Sequence, residues 1–518
     1  MKLMGLILCG VAMACGAQTV NGHVQIGGAV LLGVPSGTLT ISTPVPTATD
    51  TTISATFSSN IPATPDLKCG PSTPTKDAID AGIDRSGPLN HTQIVAGLSA
   101  STAYSCQASV TANATTVTAN FSISTTATPA TTPITSLTLG TPSAYNSINP
   151  SNQGMADTFY NCKSSDGNSY MVNDDTSGFT ISGVPSFTAG LNAGGQQSVM
   201  AVTNESPLTI QTVNMFPLYG PWHGPGGTPV YLSDGLSSKA FGIFCLQGNL
   251  FLQVGRQNQS NSQPGGGLAL TKGNILMSAN HGLTWNNPDN INTFGNVPRS
   301  NLTSSMFAGS PTTMGGADFI HYCADDGTLG YTIPCNEHDQ GNAYVYLMAN
   351  EGITQGGGTA GGGNDLYLAR VPRAKLQNLS GADYQWYVSG TCSADGSWSS
   401  TESSATSMVH NPGEIGTGHV HFIPALNRYL YLTYYYPSGV LTGGNVFDSW
   451  WLGYEAPTPC GPWTLIYSQH FTGGSGGAYN PILLDDTTYS GTTPTVMWTP
   501  SFGSVPLYVM NYATLTIN

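Results

Sequence analysis

An apolar or aromatic strand recurs along most of this chain, and that recurrence limits what it can fold into. Tyr170, Phe251, Tyr344, Leu430 and Val496 mark five copies, at 169–173, 250–254, 343–348, 429–433 and 495–498. The markers are 81, 93, 86 and 66 residues apart. Repeats of many tens of residues in a β-rich chain are small sheets that pack on one another, as propeller blades do. Five copies predict five blades, and four strands of about 5–6 residues fit each interval. Composition removes the competing class. Charged residues make up only 8% of the chain, whereas a helical bundle or coiled coil draws heavily on Ala, Glu, Lys, Leu and Arg. The predicted fold is therefore all-β. The last strand, 507–517, is expected to close the ring against an early strand at 134–139, because closure removes exposed sheet edges.

The region before the repeats reads differently. Lys2 and the apolar run 3–14 form a signal peptide over residues 1–17, with cleavage after Ala17. A lipoprotein box ending at Cys15 is the alternative. Residues 36–123 alternate in short strands parted by turn residues, the pattern of a β-sandwich. The run Leu98-Ser99-Ala100-Ser101-Thr102-Ala103-Tyr104 resembles the Leu-x-Pro-x-Thr-x-Tyr run of fibronectin type III domains, with Ala100 in place of Pro. The resemblance implies a structural tyrosine corner at Tyr104. A Thr/Pro-rich linker, 124–133, separates this sandwich from a propeller over 134–518. Eight cysteines remain beyond the leader, an even number that reads as disulfides in an exported chain. Proximity suggests Cys69–Cys106 and Cys323–Cys335, and Cys106 stands two residues after Tyr104, where immunoglobulin-like domains place a cysteine. No run after the leader is apolar enough for a membrane span.

Charge narrows the partners. Lys and Arg number 13 against 27 Asp and Glu, so the chain cannot neutralise many phosphates, and nucleic acid is excluded as a partner. The protein is expected to be a monomer.

The first repeat carries the chemistry. Asp157 opens a strand, Asp166-Gly167-Asn168 turns it, and the return strand runs into Asp174-Asp175. Antiparallel pairing brings the start of one strand beside the end of the other, so Asp157 and Asp174/Asp175 are expected together at the mouth. Glycoside hydrolysis needs two carboxyl groups, one protonated and one ionised. Asp157 is the expected general base, with Asp175 or Glu351 as general acid, roles that can be exchanged. Asp174 either caps the strand end or contacts substrate. Arg256 is expected to hold a sugar hydroxyl or to pair with a mouth carboxylate. His419 and His421 share one face of a strand. Tyr434 and Asn480 open onto the mouth by the same strand logic, and Trp222, in a Gly/Pro loop, is a candidate sugar platform. The insert 319–340, with His321 and Asp325, is expected at the pocket rim. No cofactor is expected, apart from a structural cation on the axis.

Several segments resemble known families. The opening Ala156-Asp157-Thr158-Phe159-Tyr160 with Ser165-Asp166-Gly167-Asn168-Ser169-Tyr170 resembles that of secreted five-bladed propellers that include endo-D-arabinanases, and more remotely that of arabinanases and β-xylosidases. Leu368-Ala369-Arg370-Val371-Pro372, Asn427-Arg428-Tyr429-Leu430 and the stretch from Glu455-Ala456-Pro457 to Gly461-Pro462-Trp463 resemble later segments of the first family, in the same order. The resemblance implies inverting hydrolysis of a furanose-containing polysaccharide, with carboxyls about 6.5–9.5 Å apart. In some arabinanase-like propellers a His binds an axial cation; a histidine satisfied within the core is the alternative here. Ser278-Ala279-Asn280-His281-Gly282-Leu283-Thr284-Trp285 resembles the Asp-box of sialidase-like propellers, a hairpin turn remote from their active site. That implies turn and packing roles for His281 and Trp285. Two other classes bear on the reading. A non-catalytic carbohydrate- or surface-binding propeller would have a mouth filled by aromatic or apolar side chains. A metallophosphatase is excluded, because the chain lacks a Gly-Asn-His-Asp/Glu motif.

Overall fold

A computed structural model describes residues 18–20, 23–26, 29–31, 37–79, 81–83, 88–144, 155–157, 159–178, 196–205, 208–219, 237–258, 269–282, 285, 305–325, 327, 343–352, 363–437, 449–471, 478–489, 491–500 and 510–518. The chain is nearly all β, and its few helical segments are short turns. It divides into two compact units, one made of residues 1–47, 54–94 and 103–123 and the other of 48–53, 95–102 and 124–518.

Strands of the N-terminal region form a three-stranded sheet (Val45–Ala48, Thr52–Ser58, Asn90–Ala96) and a four-stranded sheet (Lys76–Asp77, Thr64–Gly70, Ala103–Ala112, Thr115–Ser124). In Ala103–Ala112 every second residue, Tyr104, Cys106, Ala108 and Val110, is buried, as a half-covered strand requires. Cys69 stands directly opposite Cys106, and the two form the expected disulfide.

The second unit holds five antiparallel sheets among the described residues. The first runs from Met155–Asp157 and Asn161–Lys163 through Ser169–Gly178 and Gln196–Glu205 to Leu208–Tyr219. The second is Ser237–Leu246, Asn249–Asn258 and Ala269–Ser278. The third begins with Asp318–Phe319, Tyr344–Asn350 and Gly363–Pro372, and Val409–Ile415 joins it at Gly363–Pro372. The fourth is a plain meander of Gly418–Ile423, Arg428–Tyr435, Ser449–Ala456 and Thr464–Phe471. The fifth is Ala478–Leu483, Thr495–Pro500 and Asn511–Ile517, completed from the front of the unit by Leu137–Leu139. The expected closing pair is thus present, with Leu137 opposite Ile517. The leading strands touch in chain order, first sheet to fifth, and the helical turn Asp485–Thr488 then returns to Asn161–Lys163.

Apolar clusters of described residues fill the unit. One gathers Phe159, Met171, Ile243, Leu252 and Ile482, and another Leu430, Trp451, Val496 and Leu515. Two disulfides that spacing did not suggest tie distant segments, Cys162–Cys245 between the first and second sheets and Cys392–Cys460 further on. Cys323 is also disulfide-bonded, and Cys335 lies outside the described residues. Ala130 and Thr132, in the expected linker, are bonded to the turn at Leu426-Asn427 of the fourth sheet, so this end of the linker is tied down.

Motif residues serve the fold. Ser278 Oγ accepts the Gly282 N–H at 2.8 Å, and Trp285, 1% exposed, donates to the Gly282 carbonyl, so the Asp-box-like run is a packed turn. Arg370 lies between the rings of Tyr344 and Trp398, 3.9 and 4.1 Å from their centroids. Arg428 grips Glu455 with two hydrogen bonds of 2.7 and 2.8 Å.

Candidate functional site

The first hairpin forms as its turn residues dictate. Gly167 has φ +87°, which glycine adopts without strain. Asp166 accepts the Asn168 N–H at 2.9 Å and the Tyr170 hydroxyl at 2.6 Å, contacts that hold its carboxyl below the usual range against the opposing pull of burial. It is a turn residue. At the far end of the hairpin the backbone register sets Asp157 opposite Asp174. The pairing with Gln196–Glu205 shifts between Asn173 and Thr176, so Asp174-Asp175 sits in a bulge. The side chains of Asp157, Asp174 and Asp175 are not among those described.

Inside the ring of leading strands lies a buried polar cluster. His419 Nδ1 is 2.7 Å from Asp318 Oδ2, which also accepts the Val420 N–H at 3.1 Å. Nearby, His321 Nδ1 is 3.0 Å from Asp485 Oδ2. His421 Nε2 is 3.0 Å from Asp485 Oδ1 but off the line of a hydrogen bond. The backbone explains the meeting. The segment after Asp318–Phe319 runs parallel to Gly418–Ile423, with His321 bridged to His421. Asp485 is held from below, since its N–H donates to Asn161 Oδ1 and its carboxylate accepts the Lys163 N–H. Tyr160 donates to the Gly418 carbonyl and to Asn480 Oδ1 at 3.4 and 3.3 Å.

These groups share charge unequally. Burial would raise Asp485, but the adjacent His321 and His421 outweigh it and hold the carboxyl far below its usual range. Burial would lower His321, and Asp485 outweighs that too, so its imidazole keeps its proton more readily than in water. Burial pushes His421 down to about 4, helped by His419. The cluster therefore favours a proton on His321 beside an ionised Asp485 and leaves His421 neutral near pH 7. The ligand atoms of His321, His421 and Asp485 lie within 4.8 Å of one another, which makes this trio the place for the expected axial cation. Both contacts to Asp485 are 3.0 Å, a spacing that suits a hydrogen bond and equally two donors each about 2.0–2.2 Å from one shared ion. A cation there would compete with the proton that Asp485 favours on His321.

The remaining candidates scatter. Glu351, half-buried at the end of Tyr344–Asn350, accepts the Asn364 N–H at 2.7 Å and so braces the start of the next strand. Arg256 is fully buried. His419, His421, Tyr434 and Asn480 are 1%, 0%, 3% and 1% exposed and present no surface to a glycan. Each is turned inward to other partners: His419 meets Asp318, His421 lies 3.0 Å from Asp485, Asn480 accepts from Tyr160, and Tyr434 packs on Tyr436 and Tyr479. Trp222 lies outside the described residues. The expected rim at 319–340 is corrected over its first part. Phe319, His321 and Tyr322 are buried, because the leading strand of the third sheet passes through the core here.

Sequence reasoning found His419 and His421 as a same-face pair but missed their partners. Asp318 precedes its histidine by 101 residues, and Asp485 follows His421 by 64, so no local spacing joins them. The repeat offered one signal. Asp318 opens the leading strand of its sheet, His419 is second in its own, and Asp485 follows the end of another by two residues.

No protein-family model matches the chain, and no curated protein matches it. Among solved structures, the Trypanosoma rangeli sialidase is 10% identical, with a TM-score of 0.27 over 96% of this chain and 58% of the sialidase. This chain thus spans less than two thirds of that structure's length. The parainfluenza virus 5 hemagglutinin-neuraminidase ectodomain is 11% identical, with a TM-score of 0.28 over 94% of this chain and 84% of that one. At such scores the site's own geometry alone bears on what it does.

Proposed function

We propose that this protein is an exported glycoside hydrolase, a fibronectin type III-like sandwich followed by a five-bladed propeller, acting on a neutral, furanose-containing polysaccharide of the arabinan kind. Five sheets, leading strands that touch in sequence and a first strand that completes the last sheet support the propeller. Disulfides fit an oxidising compartment, and among the described residues no helix is long and apolar enough to cross a membrane.

The observation that carries the activity is the register of Asp157 against Asp174, beside a bulge. Like charges directly opposed in a sheet are destabilising, so two acids kept there call for a shared proton or a task. Bulges gather next to active sites, where they re-aim side chains. In this reading one carboxyl stays protonated because its neighbour is ionised, and it delivers its proton to the leaving oxygen. The other takes a proton from the attacking water. The register favours Asp174 over Asp175 as the partner of Asp157. Glu351, committed to Asn364, is the weaker choice for the acid.

One observation favours a non-catalytic glycan-binding propeller instead, namely the burial of His419, His421, Tyr434 and Asn480, which leaves only the rim for contact. The purified protein should be incubated with arabinan, arabinogalactan and xylan and the released sugars measured. We expect arabinan to be cleaved, and Asp157→Asn and Asp174→Asn each to lower turnover by about 10²-fold or more, the scale of lost acid–base catalysis, with folding unchanged. Wild-type rates in both variants would remove the assignment. No release from any polysaccharide would leave the binding reading.

A further inference from the structure

Burial of Tyr434 turns attention to its neighbour. Alternation along Arg428–Tyr435 sends Tyr434 into the core and leaves Tyr435 half-exposed on the other face. Tyr435 pairs across the sheet with Trp450, and Trp450 with His470. Their rings are nearly parallel, 14° between Tyr435 and Trp450 and 13° between Trp450 and His470, with centroids 6.3 and 4.6 Å apart. Exposure rises outward, from half-buried Tyr435 and Trp450 to exposed His470 on the edge strand. Beside them lies Val409–Ile415, where Asn411 Nδ2 donates to Glu414 Oε2 at 2.9 Å and to the Tyr454 hydroxyl at 2.8 Å. Tyr435 stands near Glu414, and burial together with that carboxylate pushes its phenol up to about 12.

We propose that Asn411, Glu414, Tyr435 and Trp450 form a subsite for one residue of a neutral glycan, leading outward from the mouth along the fourth sheet. This rests on the hydrolase reading for its polysaccharide and extends it to residues that reading does not use. Partly exposed aromatic rings offer apolar area for the C–H face of a sugar. The carboxylate and amide beside them meet its hydroxyls, and their mutual hydrogen bonds fix both before a ligand arrives. Position agrees, because Tyr435 ends the second strand of its sheet and Asp174 lies toward the end of the second strand of the first sheet. Charge selects the ligand. The group contains a carboxylate and no Lys or Arg, in a chain of net charge −14, so an anionic sugar is repelled.

The test uses the full chain carrying Asp157→Asn and Asp174→Asn, so that binding is read without turnover. Hexasaccharides from arabinan, xylan and polygalacturonate are titrated by calorimetry. We expect a neutral hexasaccharide to bind and the galacturonate one not to. Trp450→Ala should weaken binding about tenfold, equivalent to roughly 1.4 kcal/mol. Tyr435→Phe, which keeps the ring and loses the hydroxyl near Glu414, should weaken it a few-fold, and it guards against a misfolded Trp450→Ala. Unchanged affinity in both variants, tighter binding of the galacturonate, or no binding of any neutral hexasaccharide would overturn the subsite. The two readings part cleanly. Trp450-dependent binding by a wild-type protein that cleaves nothing removes the hydrolase and keeps the subsite. Wild-type cleavage with an unchanged KM in Trp450→Ala does the reverse.

Discussion

His421 sets how this protein responds to acid. Its buried imidazole holds a proton only below about pH 4, whereas the unfolded chain takes one up near its ordinary value of about 6.5. Between those values the unfolded state binds more protons, so stability falls as pH falls, by up to about 3 kcal/mol over the window. His321 works in the opposite sense. Its raised affinity for a proton is a contribution fully present below about 6.5 and lost as pH rises through its folded value. Asp485, depressed below its ordinary value, gives up its contribution only in stronger acid. We expect the melting temperature to drop from pH 6.5 to 4, and His421→Asn to flatten that slope while leaving the decline above 6.5. A slope unchanged in His421→Asn would place the acid sensitivity elsewhere. The same residues show what a sequence reveals. The two-residue spacing of His419 and His421 made them face-mates, but nothing local showed that their face was inward. The choice between Asp174 and Asp175 was also out of reach, because period-two reasoning fails where a strand bulges.

The fourth sheet shows how elements are pinned. Arg428 and Glu455 sit on adjacent strands, 9% and 8% exposed, in a fork-to-fork pair. Removing one partner leaves the other buried and unpaired, which costs about 3–5 kcal/mol. We expect Glu455→Ala to lower the unfolding free energy, measured by denaturant titration, by that amount, and Arg428→Met with Glu455→Leu to recover most of it. Equal losses in both would mean that packing rather than charge holds the strands. Arg370, Arg428 and Trp285, each within a motif segment, hold sheets and turns together, the packing role that the Asp-box-like resemblance implies for Trp285. Residues recur at fixed places for packing or for chemistry, and only burial and partners tell which. The Arg370 guanidinium between two aromatic rings needed two segments more than 20 residues away on either side, and no motif contains all three.

Across the whole second unit, the recurring apolar strand was the most informative feature. Each of its five copies is the second strand of one of the five sheets, since Tyr170, Phe251, Tyr344, Leu430 and Val496 lie in strands flanked on both sides. The second strand is covered on both edges and both faces, so it is the most uniformly apolar and the easiest to see. The leading strands were harder. Asp318–Phe319 and Asn161–Lys163 are short and carry the polar residues of the axis, so they break the apolar pattern just where the candidate chemistry lies. The disulfide Cys162–Cys245 went unseen for a related reason: chain proximity favours cysteines in one element, and this bond joins two sheets.

The shared fifth sheet has a mechanical consequence. Leu137–Leu139 and Leu515–Ile517 run antiparallel, and the Thr135 N–H meets the Asn518 carbonyl at 2.6 Å across 383 residues. Both ends of the unit therefore leave from the same end of one strand pair. Tension applied between them loads the outermost hydrogen bond first and then each next one, as a zipper opens, instead of shearing the whole ladder at once. We expect single-molecule pulling between residues 135 and 518 to open this seam at low force, before any other sheet yields. A first rupture at high force, releasing the unit in one step, would show that the seam is not where it parts.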